Sequence, residues 1–283
     1  MNSVYKGTKM KNEMIKKMGM TVIAVLTLSN IAVAEQNSTE PVPVVNASVK
    51  ADTIKLIDIA GRQRMLSQRM AKDYMYVGNK VAVSKARKQL KTSQKEFLEA
   101  HSKLVNSINN EDIKNLLSFV EMSSEDFEAM SKESFTTDNA QLILDLSESM
   151  LEGSQYVVAS LRESLNISAS KIVDNSGRQR MLSQRIAKYY IAYQSGIKDK
   201  NTVDQMKAAV KLFSESHAIL MTNSTNTPEV NRKLNEIDKL WKIVHKFYLN
   251  IEKGGLPQIV FSTTDKITTK MNEVTKLYVE IYK

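Results

Sequence analysis

The 283-residue chain carries 40 Lys and Arg against 31 Asp and Glu, for a net charge of +9, with no Cys, 9 Gly and 4 Pro. The absence of cysteine excludes a disulfide-held fold and leaves no thiol for catalysis. Scarce Gly and Pro beside abundant Leu, Lys, Glu, Ala, Met and Ser favour long helices. A mild basic excess spread along the chain reads as solvated helix faces, not as a nucleic-acid surface.

At the N-terminus, Lys6, Lys9, Lys11, Lys16 and Lys17 precede an apolar run from Met20 to Leu28, followed by Ala32-Val33-Ala34. A basic segment, a short apolar core and a small-residue site make a secretory signal peptide over 1–34, cut after Ala34. The apolar run is well short of the ~20 residues of a spanning helix, and no second run of that length follows. A soluble periplasmic or secreted protein is expected. Loss of the signal takes away five Lys and one Glu and leaves a charge of +5. Residues 35–49, with Pro41 and Pro43, read as a linker, with Asn46 or Ser48 placed to cap the first helix.

From about Lys50 to Val77 the spacing predicts a helix. Ile54, Ile57, Gly61, Arg64, Gln68, Ala71 and Met75 fall on one stripe. Two polar residues, Arg64 and Gln68, thus interrupt a face that should be buried. Arg62 and Arg69, seven apart, share a different face, about 160° from Arg64. Gly78 and Asn79 end the helix. Helices over about 81–108, 111–132 and 140–165 complete a group of four.

The pattern then recurs. The nine residues Gly-Arg-Gln-Arg-Met-Leu-Ser-Gln-Arg begin at Gly61 and again at Gly177, 116 positions on. Lys95, Phe97 and His101 match Lys211, Phe213 and His217 at the same offset, and Gln141 to Leu144 match Gln258 to Phe261 at 117. The chain is a tandem duplication. The fold class expected is all-α, two tandem up-down-up-down four-helix bundles over 50–165 and 168–283. The second motif helix carries Val173, Gly177, Arg180, Gln184, Ala187 and Ile191 and ends at Gly196. One joint decides how the copies meet. Were the fourth helix to turn back near Asn166 to Ser170, the motif helices would lie side by side in one chain; were it to continue, the bundles would stack end to end. The cap-like Asn166, Ser168 and Ser170 favour the turn.

Burying Arg64 and Arg180 requires an acidic partner, a water-filled notch or a bound anion. A guanidinium matches planar oxyanions with its fork of donors, and Gly61 and Gly177, one turn below, leave room for a close helix or a small ligand. The bland alternative pairs Arg64 and Arg180 with carboxylates of neighbouring helices, and Arg62 with Asp58 one turn back.

The motif resembles the N-terminal sensor domain of type IV pilus methyl-accepting transducers (PilJ-type), whose signature is close to Ala-Gly-Arg-Gln-Arg-Met-Leu-Ser-Gln-Arg-Met-Ala-Lys. More distantly it is similar to the periplasmic motif of the NarX/NarQ nitrate-sensing histidine kinases, Gly-x-x-Arg-Met-x-Ser-x-Arg. In those sensors four-helix domains pair, and the Arg three residues after the Gly binds nitrate at a two-fold axis. The resemblance implies a non-enzymatic sensing protein in which Arg64 and Arg180, with Gly61, Gly177, Gln68, Gln184, Arg62 and Arg178, take a small anion: a nitrate-like oxyanion or a carboxylate. The pairing would be an intramolecular pseudo-dimer or a homodimer, and the partner a membrane receptor or a pilus-associated protein. The alternative is a structural or protein-interaction module of pili or envelope whose arginines only pack helices. No cofactor and no metal is expected. The three histidines, His101, His217 and His245, are too scattered for a triad or a metal site and read as packed or half-exposed helix residues.

Overall fold

The computed structural model describes residues 47–165 and 168–282. The expected signal peptide and most of the expected linker lie outside the described residues. Eight α-helices and no strand are present among the described residues: α1 Ala47–Gly78, α2 Val83–Ser107, α3 Glu111–Ser131, α4 Thr137–Leu165, α5 Ser168–Gln194, α6 Lys200–Met221, α7 Pro228–Tyr248 and α8 Pro257–Tyr282. A 3-10 turn, Ile251–Lys253, follows α7. The fold is all-α, two helical bundles.

Local chemistry sets the helix starts. Asn110 Oδ1 accepts from Ile113 N at 3.0 Å, Asp199 Oδ1 from Thr202 N at 2.7 Å, and Thr227 Oγ1 from Val230 N at 3.3 Å ahead of Pro228. Each satisfies one of the free N–H groups of a first turn. One expectation needs correction: α1 begins at Ala47, so its first turn takes up the end of the expected linker. Ser48 therefore stands within the first turn of the helix and is not the residue that precedes it. Asn46 lies outside the described residues.

In the first bundle α1 packs on α2 and α4, and α3 on α4; in the second α5 packs on α6 and α8, and α7 on α8. Ile54, Ile57, Leu66, Met75, Phe97, Val120 and Ile143 fill the first core, and Leu182, Ile186, Phe213, Ile237, Trp241 and Ile267 the second. Full burial of one such side chain contributes about 1.5–3 kcal/mol. The bundles do not separate: Val45–Lys283 is one compact unit, in which α1 and α5 pack along each other.

Their register follows from three contacts. Arg64 meets Asp174, Arg180 meets Asp58, and Asn79 Nδ2 donates to Ser195 Oγ. Gly61 and Gly177 also lie at one level, each approached by both arginines. Equivalent positions are thus level, and α1 and α5 run parallel about a pseudo-twofold axis. Arg64 to Gln155 and Gln68 to Ser147 set α4 antiparallel to α1. α4 and α5 therefore run antiparallel and the copies lie side by side, while Asn166 lies outside the described residues and Ser168 and Ser170 fall within α5. α1 and α5 end up central: between 60 and 76 only Arg62 and Arg69 escape full burial, and 179–192 is buried throughout.

Candidate functional site

A Cβ placed on Gly61 would lie 3.2 Å from Arg64 Nη2 and 3.5 Å from Arg180 Nη2; one on Gly177 would lie 3.2 Å from Arg180 Nη2 and 3.6 Å from Arg64 Nη2. The two guanidiniums occupy the space that the missing side chains leave. Arginine side chains lean toward the N-terminus of their helix. With α1 and α5 parallel, each arginine reaches an aspartate six positions earlier on the opposite helix. Arg64 Nη2 donates to Asp174 Oδ1 at 2.7 Å and Nη1 to Gln155 Oε1 at 2.6 Å. Arg180 Nη2 donates to Asp58 Oδ1 at 2.6 Å and Nη1 to Asn272 Oδ1 at 3.0 Å. Gln155 and Asn272 are themselves repeat equivalents. We call the arrangement of Arg64, Asp174, Arg180 and Asp58 the clasp.

The clasp is not symmetric in its surroundings. Asp174 is 2% exposed and also meets Arg162 at 2.7 Å and Arg178 at 3.5 Å, whereas Asp58 is 25% exposed and, among the described residues, pairs with Arg180 alone. Burial pushes the Asp174 carboxyl up, but Arg64, Arg178 and Arg162 outweigh it and hold it below the usual range. Burial lowers the pKa of Arg64, only partly opposed by Asp174.

A second tier crosses between the copies one to two turns further on. Lys72 Nζ donates to Asp265 Oδ1 at 2.7 Å and Gln89 Oε1 at 2.9 Å. Its equivalent Lys188 meets Glu148, the counterpart of Asp265, and Glu148 also accepts from Arg185 Nη2 at 2.6 Å. Burial pushes Glu148 up, but Arg185 and Lys188 bring it down to about 2. Burial takes Lys188 down to about 8 despite Glu148, whose charge is divided between two cations.

Not every expected residue gathers at the arginine pair. Gln68 donates to Ser147 O at 3.0 Å, and Gln184 to Thr268 Oγ1 at 2.6 Å; both fasten motif helices to α4 and α8. Arg178 sits on Asp174. Arg62 pairs with Glu96 at 3.0 Å, not with Asp58, because Asp58 is engaged by Arg180 from the other copy. The expectation of an Arg62–Asp58 pair is therefore corrected. His101 and His217 are buried, the packed reading. Gln63 Nε2 lies 3.4 Å from His101 Nδ1, and His217 stacks on Phe213. Sequence reasoning missed the cross-copy roles of Asp58 and Asp174, and the Lys72 and Lys188 tier. A signal existed: an acid recurs at 58 and 174 and Gln at 89 and 205, at the offset of 116, and an acid recurs at 148 and 265, at the offset of 117.

Among the described residues no group of three or more His, Asp or Glu is placed to hold a metal ion, and no helix is long and apolar enough to cross a membrane. The family model for the type IV pili methyl-accepting chemotaxis transducer N-terminal domain, PilJ, matches residues 44–116 and 164–267. The chain belongs to the PilJ family. The two matches span more than half of it and each takes in a motif helix, so the molecule is a tandem of PilJ-type copies, a module of the sensor and chemotaxis-transducer kind. No curated protein and no solved structure matches it.

Proposed function

We propose that this PilJ tandem is an exported, non-catalytic sensing protein that reads a small anion, a nitrate-like oxyanion or a carboxylate, at Arg64 and Arg180. The observation that carries the reading is the convergence of two buried guanidiniums on one pair of glycines at the axis between the copies. Local charge supports it: two aspartates face four arginines, 64, 162, 178 and 180. Asp58 is the partner an anion displaces, being the more exposed carboxylate and holding its arginine alone. The export part rests on the Lys-rich segment, apolar run and Ala32-Val33-Ala34; N-terminal sequencing of the exported protein should begin at Glu35. A membrane receptor or a pilus-associated protein is the partner in this reading.

Nitrate has four heavy atoms, and at ~1.5 kcal/mol per atom its ceiling is ~6 kcal/mol, a Kd of roughly tens of micromolar at best. The test is a thermal-shift series on the full-length chain with millimolar nitrate, nitrite, sulfate, phosphate and acetate at fixed ionic strength. A bound anion raises the melting temperature by mass action, and Arg64→Ala/Arg180→Ala should abolish that rise. A second reading, a purely structural lock, is favoured by the short pairings at 2.6 and 2.7 Å. It takes over if no anion moves the wild type and the double variant is simply less stable.

A further inference from the structure

Arg62 and Arg69 share a face of α1 that opens on a crevice of about 110 Å³, walled by Met65 of α1, Glu96 of α2, and Thr268, Thr269 and Asn272 of α8. Arg62 is paired with Glu96. Arg69 makes no hydrogen bond or ion pair among the described residues, and its Nε is shielded without a partner. Asp265, Asp73 and Glu96 act on it only at longer range, and burial lowers its pKa.

The other copy shows what would silence such a crevice. At the equivalent of Arg69, Arg185 donates to Glu148 Oε2 at 2.6 Å and to Gln205 Oε1 at 3.0 Å. At the equivalent of Thr269 stands Glu152. Beside α1 the acid matching Glu148 is Asp265 of α8, one methylene shorter and spent on Lys72 at 2.7 Å and Lys85 at 3.2 Å. Arg69 is thereby left free to bind something else.

We propose that the crevice between α1, α2 and α8 is a binding site for a small monocarboxylate, formed beside the first motif helix and not beside the second. The donors are the guanidiniums of Arg69 and Arg62 and the side-chain amide of Asn272. Thr268 and Thr269 spend their hydroxyl protons on Thr264 O and Asp265 O, so with Met65 they offer an apolar wall to a short carbon chain. One carboxylate balances the crevice, where two guanidiniums face the single acid Glu96. At about 30 Å³ per water the volume of about 110 Å³ suits a ligand of about four heavy atoms, the size of acetate, with longer chains extending out of the crevice. Asn272 also accepts from Arg180, which joins the crevice to the clasp. The site is distinct from the arginine pair of the preceding section and stands or falls separately.

The test uses the full-length chain with sodium acetate, propionate and pyruvate as probes, against chloride at equal ionic strength, read by thermal shift and calorimetric titration. A hundredfold excess over Kd should raise the melting temperature by about 5 °C or more. Arg69→Met and Thr269→Glu should each abolish the rise and the titration signal. Thr269 is exposed, so the second variant folds whatever the first does, and it supplies the acid that Glu152 provides at the equivalent place. Arg64→Ala/Arg180→Ala should keep the titration signal. A signal that survives Arg69→Met and Thr269→Glu but is lost in the arginine-pair variant overturns the crevice and favours the clasp as the site. No signal from any carboxylate overturns the crevice, while the clasp still stands if nitrate shifts the wild type.

Discussion

Asp58 and Asp174 hold equivalent positions but unequal loads, and single substitutions should separate them. Asp174→Asn strands three guanidiniums, one of them fully buried. Breaking a buried pair costs about 3–5 kcal/mol, so the melting temperature should fall by roughly 10 °C at this chain length. Asp58, a quarter exposed and holding one arginine, should cost less than half as much as Asn; equal losses would contradict the asymmetry. A second residue sets a pH dependence. Burial raises the Asp73 carboxyl to about 7, against the attraction of Lys72, whose charge is already engaged by Asp265. The unfolded carboxyl titrates near 3.9, so between about pH 4 and 7 the folded chain binds the extra proton. The contribution of this group is then full below about pH 4, declines as pH rises, and is lost above about 7. Tyr189, at the equivalent place, has no such charge to bury. Asp73→Asn should melt higher than wild type at pH 8 and lose that advantage by pH 4; a difference independent of pH would contradict this. Glu148, held down to about 2, acts the other way, with stability present above about 4.5 and lost as pH falls toward 2.

At the scale of elements, Gly78 was legible as the end of α1, but for a reason the sequence does not contain. A Cβ there would lie 2.0 Å from Phe135 Cδ2, so the glycine admits a ring from the connection between α3 and α4. Gly78→Ala should cost about 1–3 kcal/mol; a neutral result in chemical denaturation would show the ring free to move. The helices themselves were legible because 3.6-residue periodicity and the 116-residue repeat are local or self-comparing signals. The stripe through Arg64 and Gln68 was legible as buried for the same reason. Which acid meets which arginine was not. Asp58 lies one turn from Arg62, and local geometry favours that pair, but Arg180 arrives from 122 positions away once α1 and α5 lie parallel. The crevice escaped because it depends on differences between the copies, Asp265 for Glu148 and Thr269 for Glu152, where attention to the repeat selects what is the same.

At the scale of the molecule, the two copies share a central pair of helices, and neither bundle covers its own motif helix. The middle of α1 is buried on nearly every side, part of that by α5. A fragment of residues 45–165 should therefore self-associate or melt without cooperativity by circular dichroism. A monomeric fragment melting sharply near the temperature of the whole chain would contradict the shared core. On the proposed reading, the same arrangement would make the parallel pair the element through which an anion is felt. Displacing Asp58 from Arg180 loosens one of two cross-copy pairings, and the second tier at Lys72 and Lys188 resists or passes on the movement.

The chain has no Cys, so spin labels can be placed uniquely at Asn79→Cys and Ser195→Cys, neighbours at the far end of the motif helices. Their distance distribution, measured with and without millimolar nitrate or acetate, tests the clasp as a sensing element. The account predicts one narrow, short distribution in the free chain that shifts when the anion is added, and no shift in Arg64→Ala/Arg180→Ala. A long or broad distribution in the free chain would contradict the side-by-side copies, and a short one that no anion moves would reduce the arginine pair to a lock.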